Sequence, residues 1–187
     1  MISNAPEAWT QRSQAGTSHE AAMWSESGQR ERYAAVLSAL DPRPGETLYD
    51  YGCGTGLLST MVPAGVGYLG YDWSRGMIER AQRDHPLSAF VNEDLASITP
   101  DLIACIGTFN LADGWSKEQT WTALSDLWSR CGRAMAVCLY AGEDEECIRY
   151  RDSECMAFAK QTRASWSLER HRPNDLLLVL GREDVRP

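Results

Sequence analysis

The sequence predicts an α/β fold: a three-layer α/β/α arrangement around a doubly wound, mostly parallel sheet of seven strands, with one antiparallel strand supplied by a C-terminal hairpin. Three observations carry that expectation. Short apolar runs alternate with helical periodicity from Leu48 to Lys160, the order that builds βαβ units. The stretch Leu48–Leu57 passes from apolar and aromatic residues through Asp50 into glycines at 52, 54 and 56; it reads as a buried strand, a tight turn and a helix start. The last two runs, Ser165–Arg170 and Leu176–Leu180, are separated only by residues 171–175. That is too short for a parallel crossover, so the two must pair as an antiparallel hairpin.

In chain order, residues 1–16 are polar and patternless and are expected to be a mobile arm. Helical text covers Glu20–Trp24, breaks around residues 25–28, and resumes from Gln29 to Leu40. There Tyr33, Val36, Leu37 and Leu40 fall at i, i+3, i+4 and i+7. Pro42 and Pro44 end this helix. Leu57–Val62 begins a first crossover helix, stopped by Pro63. Gly67–Asp72 is the second strand, and Ser74 caps a helix carrying Met77, Ile78 and Ala81. His85 serves as a dipole partner at that helix's end. Ala89–Val91 is a short third strand, and Asp101–Gly107 a fourth, apolar throughout as in a strand buried on both faces. Ser116 and Gln119 form a capping-box pattern before a helix with Trp121, Leu124, Trp128 and Cys131 on one face, which reads as core packing. Arg133–Tyr140 is the fifth strand. Glu143–Glu146 is expected to open a helix running to about Lys160.

Composition narrows the function classes. A chain of 187 residues, 43% hydrophobic, has room for one domain with a full core. No apolar run approaches bilayer length, and the N-terminus lacks the basic-then-apolar character of a signal peptide. The six cysteines form no C-x-x-C pair, which points to a reduced, cytoplasmic protein without a metal site. A net charge of −8, with lysine only at 117 and 160, disfavours phosphate-backbone binding. A small-molecule partner is expected, with no membrane partner, and a monomer or homodimer.

The glycine turn belongs to nucleotide-like cofactor sites, where ligands lie beyond the carboxyl ends of strands and face the N–H groups of a helix start. Its spacing argues against a dinucleotide. The G-x-G-x-x-G fingerprint requires glycine at position 57, which is Leu57. Asp50, two residues before Gly52, sits badly beside a pyrophosphate and suits a cationic ammonium or sulfonium. Asp72 lies twenty residues after Gly52, the offset of an acid that takes up ribose hydroxyls; it is otherwise an acid near the next helix start.

Asp50–Gly56 resembles the first motif, D/E-x-G-x-G-x-G, of class I S-adenosylmethionine-dependent methyltransferases. Gly70–Ala81 resembles their second, G-x-D-x-S-x-x-M-I-x-x-A, and the likeness extends strand by strand over nearly the whole chain. Trp24–Arg32 and Gly107–Leu111 also look like segments of small stand-alone bacterial members. The resemblance implies a Rossmann-like methyltransferase fold in one domain, with arm and lid helices in 1–40 and a catalytic core in 46–187. It implies adenosylmethionine as cofactor and adenosylhomocysteine as product. The cofactor site it implies comprises Asp50, Tyr51, Gly52, Cys53, Gly54, Gly56, Asp72, Trp73, Met77, Asp94, Leu95 and Gly107. Trp73 and Met77 would flank the adenine, and Asp94 would bond its amino group. Cys53 reads as a small turn residue.

Methyl transfer to N or O of a small acceptor by in-line displacement follows from such a cofactor. The loop after the fourth strand is the preferred place for acceptor contacts, through Thr108, Phe109, Asn110 and Trp115, with Trp115 equally readable as a plug. Trp24, Gln29 and Arg32 form either a lid or a helix that simply covers the sheet. The hairpin tip puts His171 near the acceptor side. Acids 143–146 either stabilise a helix start or form a rim that attracts a cationic acceptor. No histidine–acid pair names a base, so the catalytic residue stays open. The alternatives are a protein or nucleic-acid acceptor, a non-catalytic adenosylmethionine-binding protein, and an NAD-dependent oxidoreductase.

Overall fold

A computed structural model describes residues 6–113 and 115–182. Its strands are β1 (Thr47–Tyr51), β2 (Gly67–Tyr71), β3 (Ala89–Val91), β4 (Leu102–Ile106), β5 (Ala134–Tyr140), β6 (Ser165–Arg172) and β7 (Asp175–Gly181). They form one sheet in the order β3-β2-β1-β4-β5-β7-β6. All pairings from β3 to β5 are parallel. β7 runs antiparallel to both β5 and β6, so it is the one reversed strand, as a link of only residues 173–174 requires.

β4 shows why the sheet needs cover on both faces. Every one of its residues is buried, and alternate side chains enter different layers. Leu102, Ala104 and Ile106 pack with Tyr33, Val36 and Leu40 of α3 (Glu26–Leu40). Ile103 and Cys105 pack with Leu124, Leu127 and Trp128 of α5 (Lys117–Arg130) and with Cys155 and Phe158 of α6 (Asp152–Thr162). α4 (Arg75–Asp84) adds Ile78 and Ala81 to a smaller cluster with Cys53 and Phe90. Among the described residues no helix is long and apolar enough to cross a membrane.

Four local expectations are corrected. Residues 6–12 form a helix, α1 (Pro6–Arg12), instead of a mobile arm; residues 1–5 lie outside the described part. Polar bonds hold α1 and the segment after it. Thr10 Oγ1 lies 3.0 Å from Ser74 Oγ, and Arg80 donates to the carbonyls of Ser13 and Ala15. Anchoring of this kind leaves no apolar period to read. Next, α2 is Ser18–Ala21, capped by Thr17 with Glu20 reaching back, so Trp24 lies outside it; α3 starts at Glu26, three residues early, because Ser25 caps it.

The third correction concerns the first crossover, which is one 3-10 turn, Leu57–Thr60, since Pro63 leaves no room for more. The fourth concerns residues 143–150, which are not helical; the helix begins at Asp152. Ile148 N–H donates to Asn110 O at 2.7 Å and Tyr150 N–H to Tyr140 O at 2.8 Å. Burying Ile148 and Tyr150 against the ends of β4 and β5 outcompetes a helix that would leave four acids in its first turn.

Candidate functional site

Strand order reverses direction at β1 and β4, and in open α/β sheets the crevice beyond the carboxyl ends there is the ligand site. A cavity of about 410 Å³ occupies that place, within the size range of small-molecule sites. Its floor is the glycine turn. Gly52 and Gly54 hold φ of +83° and +54°, which non-glycine residues rarely adopt. A Cβ on Gly54 would point into open space at the cavity wall, so the chain leaves room there for a ligand to lie on the backbone.

Asp72 closes the next edge. Its Oδ2 accepts the Gly54 N–H at 2.9 Å and its Oδ1 the Ser74 N–H at 2.8 Å, which ties the end of β2 to the glycine turn and to the start of α4. A carboxylate has about four acceptor positions, so further ones remain for a ligand on the cavity side. Burial pushes its pKa up to about 6, against the two backbone donors.

The remaining predicted residues divide clearly. Tyr51, Cys53, Trp73, Met77, Gly107, Thr108, Phe109, Asn110, Trp115, Trp24 and Arg32 all line the cavity with Gly52, Gly54 and Asp72. Trp73 is 40% exposed and meets Trp115 edge-on, while Phe109 stacks on Trp115 and on Tyr51. This gives one aromatic wall. Thr108 Oγ1 donates to Tyr51 O at 2.7 Å, and Asn110 Oδ1 accepts the Tyr140 N–H at 3.0 Å, so both pin the loop after β4. Cys53 is buried, and burial drives its thiol far above the ordinary range, which removes it as a nucleophile.

Asp50, Gly56, Asp94, Leu95 and His171 lie outside the cavity wall. Asp50 is enclosed beneath the turn, where it accepts the Tyr68 hydroxyl at 2.7 Å; burial, opposed by that bond, raises its pKa to about 7. Gly56 is a packing glycine, since a Cβ there would stand 2.5 Å from Phe90. Asp94 is held by both Arg130 Nη2 contacts, at 2.8 and 2.7 Å, and by the Tyr49 hydroxyl at 2.8 Å; Leu95 gives its carbonyl to Arg130. His171 has its Nε2 buried without a hydrogen-bond partner. None of the three histidines lines the cavity.

Several lining residues escaped sequence reasoning. Ser18 and Thr55 meet through their hydroxyls at 2.6 Å, and Gln29, already a lid candidate in the sequence, donates from Nε2 to Ser18 at 3.1 Å. These bonds seat α2 on the glycine turn as a roof. Trp24 completes the roof: a Cβ on Gly107 would stand 2.3 Å from its ring. Trp24, Gln29 and Arg32 line the cavity, while Trp24 and α3 also pack on the sheet, so the segment has features of both readings. Arg172 and Asp175, flanking the hairpin tip, also reach the cavity. The hairpin tip, expected on the acceptor side, is the signal that points to them, although the expectation names His171. Of the acids at 143–146 only Asp144 lines the cavity.

This sheet order with one reversed strand defines the class I S-adenosylmethionine-dependent methyltransferase fold, and solved structures agree. The chain superposes on a magnesium protoporphyrin IX methyltransferase from Synechocystis, solved with bound adenosylmethionine, with a TM-score of 0.69 at 19% identity, covering 97% of this chain and 93% of that one. It superposes on a TehB-like adenosylmethionine-dependent methyltransferase from Corynebacterium glutamicum with a TM-score of 0.62 at 18% identity, over 95% and 98% of the two chains. A [4+2]-cyclase, SpnF, shares the fold with a TM-score of 0.66 at 12% identity, over 82% and 81%. The sequence matches no protein-family profile and no curated protein.

Proposed function

We propose that this protein is an S-adenosylmethionine-dependent methyltransferase that methylates N or O of a small-molecule acceptor. The observation that carries the reading is Asp72, fixed by the Gly54 and Ser74 N–H groups at the cavity wall, beside a glycine turn with open space above Gly54. That pair fits a nucleoside: the carboxylate supplies acceptors for ribose hydroxyls, and the turn lets the rest of the ligand lie on the backbone. On this reading Trp73 and Met77, which line the cavity, hold the base, and the Gly107 region receives the amino-acid portion.

The cofactor, when bound, supplies an already activated sulfonium methyl group. This chain's residues therefore have mainly to orient and enclose. Asp72 and the glycine turn fix one reactant, the wall of Tyr51, Phe109 and Trp115 orients a flat partner, and the roof built on Ser18, Trp24 and Gln29 keeps water out. Orientation of this kind contributes on the order of 7–11 kcal/mol at best. With no histidine in the cavity, an acceptor whose nucleophile is already neutral or readily ionised is favoured.

Calorimetry with adenosylmethionine, adenosylhomocysteine and NAD tests the cofactor assignment; NAD binding with no response to the other two would overturn it. Because a cyclase shares the fold, transfer itself needs its own measurement. Release of adenosylhomocysteine with a candidate acceptor is expected. Binding without release across a broad panel of amines, phenols and acids would favour a non-catalytic protein or another reaction.

A further inference from the structure

We propose that Arg32 and Arg172 form a carboxylate-binding site at the acceptor end of the cavity, so that the acceptor is a flat organic acid; this rests on the methyltransferase reading of the same cavity. Asp175, 1% exposed, stands at the start of β7 with its Oδ2 2.8 Å from Arg32 Nη2 and 3.5 Å from Arg172 Nε. Both of its oxygens are sealed from solvent and make no well-aligned hydrogen bond, so the contact is a close ion pair of poor directionality. Asp175 belongs to the cavity wall, but with 1% of its surface open it offers a ligand little contact of its own. It anchors the two guanidinium groups, and they are what the cavity presents.

Arg32 is held further by lying over the Trp24 ring, 4.7 Å from its centre. Its Nη1 and the Nη2 of Arg172 come within 3.1 and 3.6 Å of the point where a Cβ on Gly28 would be. The two nitrogens are therefore within about 7 Å of each other, a span that one carboxylate can bridge by taking one N–H from each. Both side chains line the cavity and keep part of their surface, 14% and 28%, open. Arg172 Nη1 pairs with Glu31 and its Nε with Asp175, so Nη2 is the nitrogen left for a further acceptor.

The charges at this corner are the two guanidinium groups, Asp175 paired with both, and Glu31 paired with Arg172. Glu31 lies on the outer surface, half exposed, and Asp144 is a further acid of the cavity lining. Formal charge balances among the two arginines, Asp175 and Glu31, so what the corner offers an anion is pre-set N–H donors. β7 lies two strands beyond β4, roughly 10 Å at ordinary strand spacing, on the opposite side of the glycine turn from Asp72. The corner therefore belongs to the acceptor. Aromatic walls at Tyr33 and Phe109 suit a flat body attached to the acid.

The test uses the full chain saturated with adenosylhomocysteine, with 4-hydroxybenzoate and 3,4-dihydroxybenzoate as probes beside their amides, followed by calorimetry. The acids are expected to bind roughly tenfold or more tightly than the amides. Arg172→Gln should erase the difference, and Arg172→Lys should keep part of it, without changing adenosylhomocysteine affinity more than about twofold. Equal binding of acid and amide overturns the proposal, as does the absence of measurable binding by either, or an acid preference that survives in Arg172→Gln. Loss of adenosylhomocysteine affinity in Arg172→Gln with 5′-methylthioadenosine unaffected would assign the site to the cofactor's own carboxylate, which also overturns it. A melting curve checks that Arg172→Gln is folded; if it is not, Arg172→Lys carries the comparison. If adenosylhomocysteine fails to bind at all, the methyltransferase reading fails, and the acid–amide comparison on the free protein still decides the arginine site.

Discussion

Adenosylhomocysteine should bind more weakly as pH falls from 7 to 5, and the cause should be Asp72. Its carboxyl has a pKa of about 6 because burial opposes the charge more than the Gly54 and Ser74 N–H groups favour it. A group with that pKa is about nine-tenths ionised at pH 7 and about one-tenth at pH 5. If ribose hydroxyls require the ionised form, affinity drops about tenfold across the interval, or about 1.4 kcal/mol. The sign is fixed: ligand binding favours the deprotonated acid, so affinity rises with pH and levels off above about 7. Isothermal titration at pH 5, 6 and 7 measures this directly. Asp72→Asn keeps the side-chain shape but cannot ionise, and it should show weaker binding, by roughly 1–3 kcal/mol at pH 7, with a flat profile. Asp50 also titrates near this range, so Asp50→Asn is the control and should retain most of the slope. A flat profile in the unmodified protein, or the same slope in Asp72→Asn, would refute the placement of the ribose.

Three further outcomes are expected. Asp50 has a folded pKa of about 7 against about 3.9 unfolded, so the native state binds more protons between those values. Its contribution to stability is therefore lost as pH rises from about 4 to about 7, and urea midpoints at pH 5 and 8 should differ less in Asp50→Asn than in the unmodified protein. Gly52→Ala combines a φ of +83° with a Cβ 2.3 Å from Thr108 Oγ1. Left-handed strain and overpacking together should cost about 2–4 kcal/mol, read as a lowered Tm. Asp94→Ala leaves Arg130, 7% exposed, without its main partner. Because Asp94 itself is partly open, the loss should sit near the low end for a broken buried pair, about 2–3 kcal/mol in denaturant unfolding.

The sheet was legible because its strands obey short-range rules: the apolar run of β4, the glycines after β1, and a linker too short for anything but a hairpin. The cavity's floor was equally readable, since the turn at Gly52 and Gly54 is fixed by local geometry, and Asp72 and Trp73 follow directly on the end of the next strand. What failed was long-range and polar. α1 docks through Thr10, Ser13 and Ala15 on Ser74 and Arg80, contacts that leave no period in the text. Residues 143–150 carry helix-starting acids, but burial of Ile148 and Tyr150 overrode that propensity. Asp94 stands where an adenine contact was expected, yet its partners Arg130 and Tyr49 are 36 and 45 residues away. Nothing local announces them. Arg172 and Asp175 were missed because their importance depends on Arg32, from the far end of the chain.

The reversed strand separates two kinds of constraint. The body of β7, from Leu176 to Leu180, is packed in the core and can change only with its neighbours. The turn before it, Pro173 and Asn174, is exposed and meets the cavity only through the residues on either side. A sequence drifting at that turn can therefore move Arg172 without disturbing the core. On the proposed reading, selection for a new acceptor would act on a few tip positions, while the glycine turn and Asp72, beyond β1, would stay under the unchanged demand of the cofactor.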